Sequence, residues 1–185
     1  MNMLLGFAPF AVFAILEHFT GLVLALALAA LASLVIIARD LLRRQSPKLL
    51  ESGSALIFGG LGLYAWFAHP VWSLFEVRLY VDACLLLLVL VSVAIGRPFT
   101  QAYARERTAP EVWDRPSFRD GTRAIALAWA AAFVVLVVAD ACMVFVPQLP
   151  LKVDILVSLA ALYAAARYTM TRTGAGAASQ ARSNG

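Results

Sequence analysis

Between Ser52 and Phe75 the chain carries no Lys, Arg, Asp or Glu, and between Gly21 and Ala38 it carries none either. Such stretches decide the fold class. About 20 consecutive apolar residues let a helix cross a hydrocarbon core roughly 30 Å thick, and in lipid only helices and closed barrels satisfy every backbone N–H and C=O. Three more stretches, Trp72 to Gly96, Ala124 to Val146 and Pro150 to Thr169, are long enough but contain ionisable groups. Met3 to Leu16 is apolar but short, the size of a re-entrant, interfacial or tilted half-helix. The expected fold is all-α: a polytopic membrane helix bundle with five full transmembrane helices (about 21–38, 52–69, 72–96, 124–146 and 150–169) plus a short N-terminal apolar helix (about 3–16). Residues 1–172 form one integral-membrane domain in this reading.

Composition excludes a soluble globule as the alternative. Of 185 residues, 62% are hydrophobic and 14% charged, whereas soluble domains run at roughly 45–50% and about 25%. A mean hydropathy of +0.83 supplies more apolar surface than a soluble core of this length hides. A cleaved secretory signal is not expected, because such a signal begins with positive charge and no Lys or Arg precedes Arg39.

The 15 basic residues set the orientation. Arg39, Arg43, Arg44 and Lys48 follow the second apolar stretch, six arginines from Arg97 to Arg123 occupy the long connection before the fifth span, and Arg167, Arg172 and Arg182 end the chain; only Arg78 and Lys152 fall elsewhere. By the positive-inside rule both basic loops and the C-terminus are cytoplasmic. The side of the N-terminus depends on whether residues 3–16 span or re-enter. A net charge of +4 does not point to nucleic acid, since the basic residues flank hydrophobic spans and alternate with Glu106, Glu111, Asp114 and Asp120. Anionic lipid headgroups are the nearer partner. No zinc-ligand spacing, glycine-rich phosphate loop or nucleophile elbow is present, so neither an enzyme nor a cofactor or metal is expected.

Helices in lipid associate through small residues that let backbones approach. Ala55, Gly59 and Gly62 in the third span, and Ala124, Ala128 and Ala132 in the fifth, each share a helical face. The long connection, 97–123, opens Arg97-Pro98-Phe99; Pro98 suits a first helical turn, and Phe99 and Tyr103 lie one turn apart, which predicts a short interfacial helix. Trp113 and Phe118 form a second apolar cluster, either an interfacial anchor or a docking point for a partner protein. The Gly-, Ala- and Ser-rich residues 173–185 read as a disordered tail.

With this topology most of the remaining ionisable residues lie in the outer half of the bundle: Glu17 and His18, then Glu76, Arg78 and Asp82 in the fourth span, Asp140 late in the fifth, and Lys152 and Asp154 opening the last. Charge in hydrocarbon costs at least a few kcal/mol, so such groups are expected to face the interior, to pair, or to line a wet cavity. Arg78 and Asp82 can pair at i, i+4; Lys152 needs a partner on another helix, with Asp82 or Asp140 as the natural choice. Functionally the cluster reads as an ion or proton site; structurally it reads as pairs that lock helices together near the surface. The repeated tripeptides Asp82-Ala83-Cys84 and Asp140-Ala141-Cys142 hold both cysteines, but Asp and Cys two apart point to nearly opposite sides of a helix. Core packing is the default for these cysteines, ahead of a metal or disulfide.

These features together resemble the intracellular septation protein A (YciB/IspZ) family of small bacterial inner-membrane proteins. The resemblance runs from about Met3 to Met170 and rests on the layout together with Pro9-Phe10, Arg97-Pro98-Phe99, Trp129-Ala130 and Lys152-Val153. Phe75-Glu76-Val77-Arg78 departs from the Trp-Lys-Pro type of sequence found there, which marks a distant member. The resemblance implies a role in cell-envelope maintenance and cell division through contacts with other membrane proteins, without catalytic residues. Two functional classes are thus in play: an interaction protein whose loop meets partners through Trp113 and Phe118, and a small transporter or channel lined by Asp82, Asp140, Lys152 and Asp154. An integral-membrane enzyme is weaker, since no nucleophile and base stand out as a pair. Substrate, partner identity and oligomeric state have no signature in the sequence.

Overall fold

Local sequence explains where each helix begins and ends. The computed structural model describes residues 6–106, 108–146 and 148–183, without the side chains of 18 and 174–183. Helix α1 (Ala8–Thr20) and α2 (Leu22–Leu42) are separated by Gly21 alone, whose φ of 81° breaks the helical path where a Cβ would be strained. Helix α3 (Leu49–Ala68) follows a short turn, α4 (Leu74–Ala94) follows Ser73, and Gly96 at φ 77° precedes Arg97-Pro98. The short α5 (Phe99–Arg105) leads through a 3-10 turn at Pro110–Val112 to the two longest helices, α6 (Pro116–Phe145) and α7 (Leu151–Ser183).

Four of these helices are long and apolar enough to cross a membrane: α2, α4, α6 and the Leu151–Thr173 part of α7. The sequence reading expected five full spans. The difference is α3, which has the length at 20 residues but carries Glu51, Ser52, Ser54 and four glycines that dilute its apolarity. The short N-terminal helix is present as 13 residues shifted toward Thr20; its expected start at 3–5 lies outside the described residues. Helix α6 starts at Pro116, about two turns ahead of the expected Ala124, because Pro116 at N1 and the polar run that follows extend the helix past the apolar part. The stretch after Arg172, expected to be disordered, continues α7 to Ser183; Ala175, Ala177, Ala178 and Ala181 favour helix enough to offset Gly174 and Gly176.

The chain divides into two compact units, Met1–Leu88 and Val89–Gly185. In the first, α1 packs on α2 and α2 on α3. Phe58 of α3 receives the rings of Phe10 and Phe13 from α1 at 4.9 and 5.5 Å. Of the expected small-residue face, Gly62 sits against Leu26 of α2, whereas nothing lies near Gly59; a Cβ on Gly53 instead would overlap the Leu88 side chain. In the second unit α5 and α7 pack on α6. The buried stripe of α6 runs Thr122, Ala126, Trp129, Phe133, Leu136, Asp140, Met143, alternating steps of four and three as a helix-packing seam requires. Ala132 is buried, but Ala124 and Ala128 are only half-buried, so larger side chains make most of this seam. Phe99 and Tyr103 of α5 are buried and so are not offered to headgroups, and Thr100 Oγ1 donates to the Thr122 carbonyl at 2.6 Å.

Candidate functional site

Each unit buries its own set of polar groups. In the first, α2 places Asp40 in its last turn, and the turn through Gln45, Ser46 and Pro47 returns the chain so that Lys48 immediately precedes α3. The Lys48 ammonium donates to Asp40 Oδ2 at 2.8 Å and lies 3.9 Å from Glu51 Oε1. Arg39 donates to the other Asp40 oxygen at 3.2 Å. Asp40, Lys48 and Glu51 are all buried, and Glu51 Oε2 also accepts a long 3.5 Å bond from the Lys48 backbone N–H. Two carboxylates thus share one buried ammonium across a helical hairpin. Sequence reasoning missed this group by counting Lys48 and Arg39 only as loop charge. The available signal was an acid in the last turn of one helix and another in the first turn of the next, with a lysine at the turn between them.

In the second unit the indole N–H of Trp129 donates to Thr169 Oγ1 at 3.1 Å, and that hydroxyl donates in turn to the Ala165 carbonyl. Trp129 and Thr169 lie at nearly equal distances along the chain from the α6–α7 connection, so the two helices run antiparallel. Stepping about three turns from that bond toward the connection brings Asp140 on α6 level with Ser158 on α7, and Asp154 lies one further turn along α7 on the Ser158 face. All three are buried, at 0% exposure for Asp140, 2% for Asp154 and 8% for Ser158. Ser158 Oγ has no hydrogen-bond partner among the described residues. Ser158 was not singled out in the sequence, although its position one turn after Asp154 marks it as a neighbour.

The remaining expected site residues are placed differently. Lys152 is exposed and makes no ion pair among the described residues, because it opens α7 about 200° around from Asp154. Glu76 is a helix cap: its Oε2 accepts from the Ser73 N–H at 2.6 Å while Ser73 Oγ accepts from the Glu76 N–H at 3.2 Å, the reciprocal arrangement of a capping box. Arg78 and Asp82 are half-buried in the first unit, with the Arg78 guanidinium 6.0 Å from the Phe75 ring centre. Cys84 and Cys142 are both exposed and unbridged. Trp113 is half-buried; its indole N–H donates to the Thr108 carbonyl at 3.3 Å, and Arg105 lies over its ring at 5.2 Å. Phe118, also half-buried, opens α6.

Compared with protein-family models, curated proteins and solved structures, the chain matches none. The arrangement is therefore read from its chemistry. The Asp40–Lys48–Glu51 group is closed by its own ion pairs and ties two helices. Asp140, Ser158 and Asp154 place two buried carboxyl groups and a buried hydroxyl toward the connected end of the α6–α7 hairpin.

Proposed function

We propose that this chain is a multi-pass protein of a bacterial inner membrane that works through contacts with other membrane proteins, in the manner of the septation and cell-envelope proteins it resembles, with its basic loops and C-terminus cytoplasmic and α3 as a fifth span. The observation that carries the reading is the folded connection between α5 and α6. Trp113 is pinned by Arg105 and Thr108 yet keeps part of its ring in the open. Around it Glu111, Asp114, Arg115, Arg119 and Asp120 are exposed with both signs interspersed, which suits a specific protein surface better than a uniformly anionic lipid layer. Aromatic rings held rigid by their own chain lose little entropy when a partner covers them.

The test is affinity isolation of the full-length chain from membranes in mild detergent. With Trp113→Ala and Phe118→Ala combined, the set of co-purifying membrane proteins is expected to fall away at unchanged membrane abundance. An unchanged set would remove the loop from this role.

A second reading, a small transporter or channel, is favoured by one observation: Asp140, Asp154 and Ser158 are each buried, at nearby levels of two of the candidate spans. Ionisable residues within spans face the bundle interior and can mark ion or proton routes. Asp140 is the residue on which that reading turns.

A further inference from the structure

The connection between α3 and α4 and the end of α3 before it expose large apolar side chains. Among the described residues Val71 is the most exposed large apolar one, at 102%, and Trp66 and Phe67, at the end of α3, stand open at 64% and 78%. Beside them three rings form a column: Tyr64 of α3 stacks on Trp72 with centroids 5.3 Å apart, and Trp72 meets Tyr80 of α4 at 5.4 Å. Each of these rings has an apolar body and a hydroxyl or N–H at its edge, the combination that gathers where acyl chains meet headgroups. No Lys, Arg, Asp or Glu interrupts the sequence from Ser52 to Phe75, and Glu76 is turned back onto the Ser73 N–H.

The other end of α3 has the opposite character. There the chain turns through Arg43 and Arg44, both exposed. The 20 residues of α3 separate the two ends, which is about 30 Å at 1.5 Å per residue and equals the thickness of a hydrocarbon core. One helix thus joins a basic turn to an aromatic one across the distance that separates two membrane surfaces.

We propose that the Tyr64–Trp72–Tyr80 column lies in the headgroup layer and anchors the α3–α4 turn there, with Val71 at the same boundary and Phe67, further back in α3, toward the acyl chains. The partner is the lipid surface: the glycerol carbonyls and headgroups accept from the tyrosine hydroxyls and the Trp72 N–H, and the acyl chains cover what water would leave exposed. The assignment rests on the reading of α3 as a span.

The experiment uses the full chain with Cys84→Ser and Cys142→Ser, carrying either Ser46→Cys on the basic turn or Val71→Cys on the aromatic one, in vesicles of phosphatidylethanolamine and phosphatidylglycerol. Both substituted positions are exposed, so the substitutions remove no buried contact. A membrane-impermeant thiol reagent is expected to reach the two cysteines from opposite faces. A nitroxide at 71 is expected to be about equally open to oxygen and to a water-soluble nickel chelate, the signature of the headgroup boundary, and to shift away from it when Trp72→Ala and Tyr80→Ala are added. Labelling from one face means that α3 does not cross, and the span reading falls together with the anchor. Labelling from opposite faces, with position 71 as open to nickel as a nitroxide at Asp114→Cys or far more open to oxygen than to nickel, overturns the anchor alone. No shift on removing the two rings also overturns it.

Discussion

Lys48 carries an unusual share of the electrostatics of the first unit, because Asp40 and Glu51 both direct a carboxylate oxygen at its ammonium and all three are buried. Removing Lys48 takes the ammonium from both acids, leaving Asp40 to the part-exposed Arg39 and Glu51 buried without it, which is costly. Lys48→Met is therefore expected to lower stability by about 3–5 kcal/mol, read as a fall in the denaturation midpoint of the detergent-solubilised protein. Replacing the three buried members by Asp40→Leu, Lys48→Met and Glu51→Gln removes the buried charges together, leaving the part-exposed Arg39 to water, and is expected to recover most of that loss. If the triple variant is no more stable than Lys48→Met, the ion pairs contribute something other than mutual neutralisation. The acids and the lysine are visible in the sequence, but their meeting is not: Asp40 and Lys48 are eight positions apart, and only the sharp return of the chain at Gln45–Pro47 makes them neighbours.

Among the elements, α3 shows how much a helix's role depends on which residue of a small-residue pattern meets a neighbour. Ala55, Gly59 and Gly62 share a face in sequence, yet Gly62 alone of the two glycines lies against another helix, at 3.5 Å from Leu26 Cβ for an added Cβ. Gly53, outside the pattern, is the tighter position, where a methyl group would overlap Leu88. Gly53→Ala is accordingly expected to force Leu88 into another rotamer at a cost of about 1 kcal/mol. Gly59→Ala meets nothing and is expected to be neutral or to gain up to about 1 kcal/mol from reduced chain entropy. The pair of variants, compared by thermal denaturation in the same detergent, separates the two packing assignments; equal effects would show that neither glycine is at a contact. Helix α6 was legible as an apolar span, but of the face expected to pack, Ala124 and Ala128 are only half-buried; the buried stripe instead steps by four and three from Thr122 to Met143 and includes Asp140. What that periodicity lacked was register, which the Trp129–Thr169 bond supplies.

For the molecule as a whole, the choice between a protein that meets partners and one that moves an ion turns on Asp140. Asn keeps the size and most of the hydrogen-bonding capacity of Asp while removing its charge and its proton. If the transporter reading is right, ion- or proton-dependent flux into proteoliposomes is expected for the native chain and at least a tenfold loss for Asp140→Asn at equal incorporation, a difference of about 1.4 kcal/mol. Absence of flux from the native chain across a broad ion panel would leave the contact-mediated role standing. The same substitution separates the readings in cells, since a role carried by the loop at Trp113 tolerates a neutral residue within the α6–α7 hairpin.

The apolar stretches determined by themselves that this chain is helical and that most of its helices suit a membrane, because hydropathy and length are summed along the chain and need no knowledge of neighbours. They did not separate α3 from its fellows, since its polar N-terminal turn was excluded from the span as read, whereas the folded helix includes Glu51 and is diluted by it. Glu76 could have been read as a cap from Ser73 three residues before it, a purely local signal. Other assignments were out of reach of any linear reading. Lys152 became exposed while Asp154, two residues on, became buried, and Asp40, Lys48 and Glu51 became one group, because burial and pairing depend on which side of a helix a neighbour occupies. That is decided by angles and turns in three dimensions, and the packing of α2 on α3 and of α6 on α7 settled it.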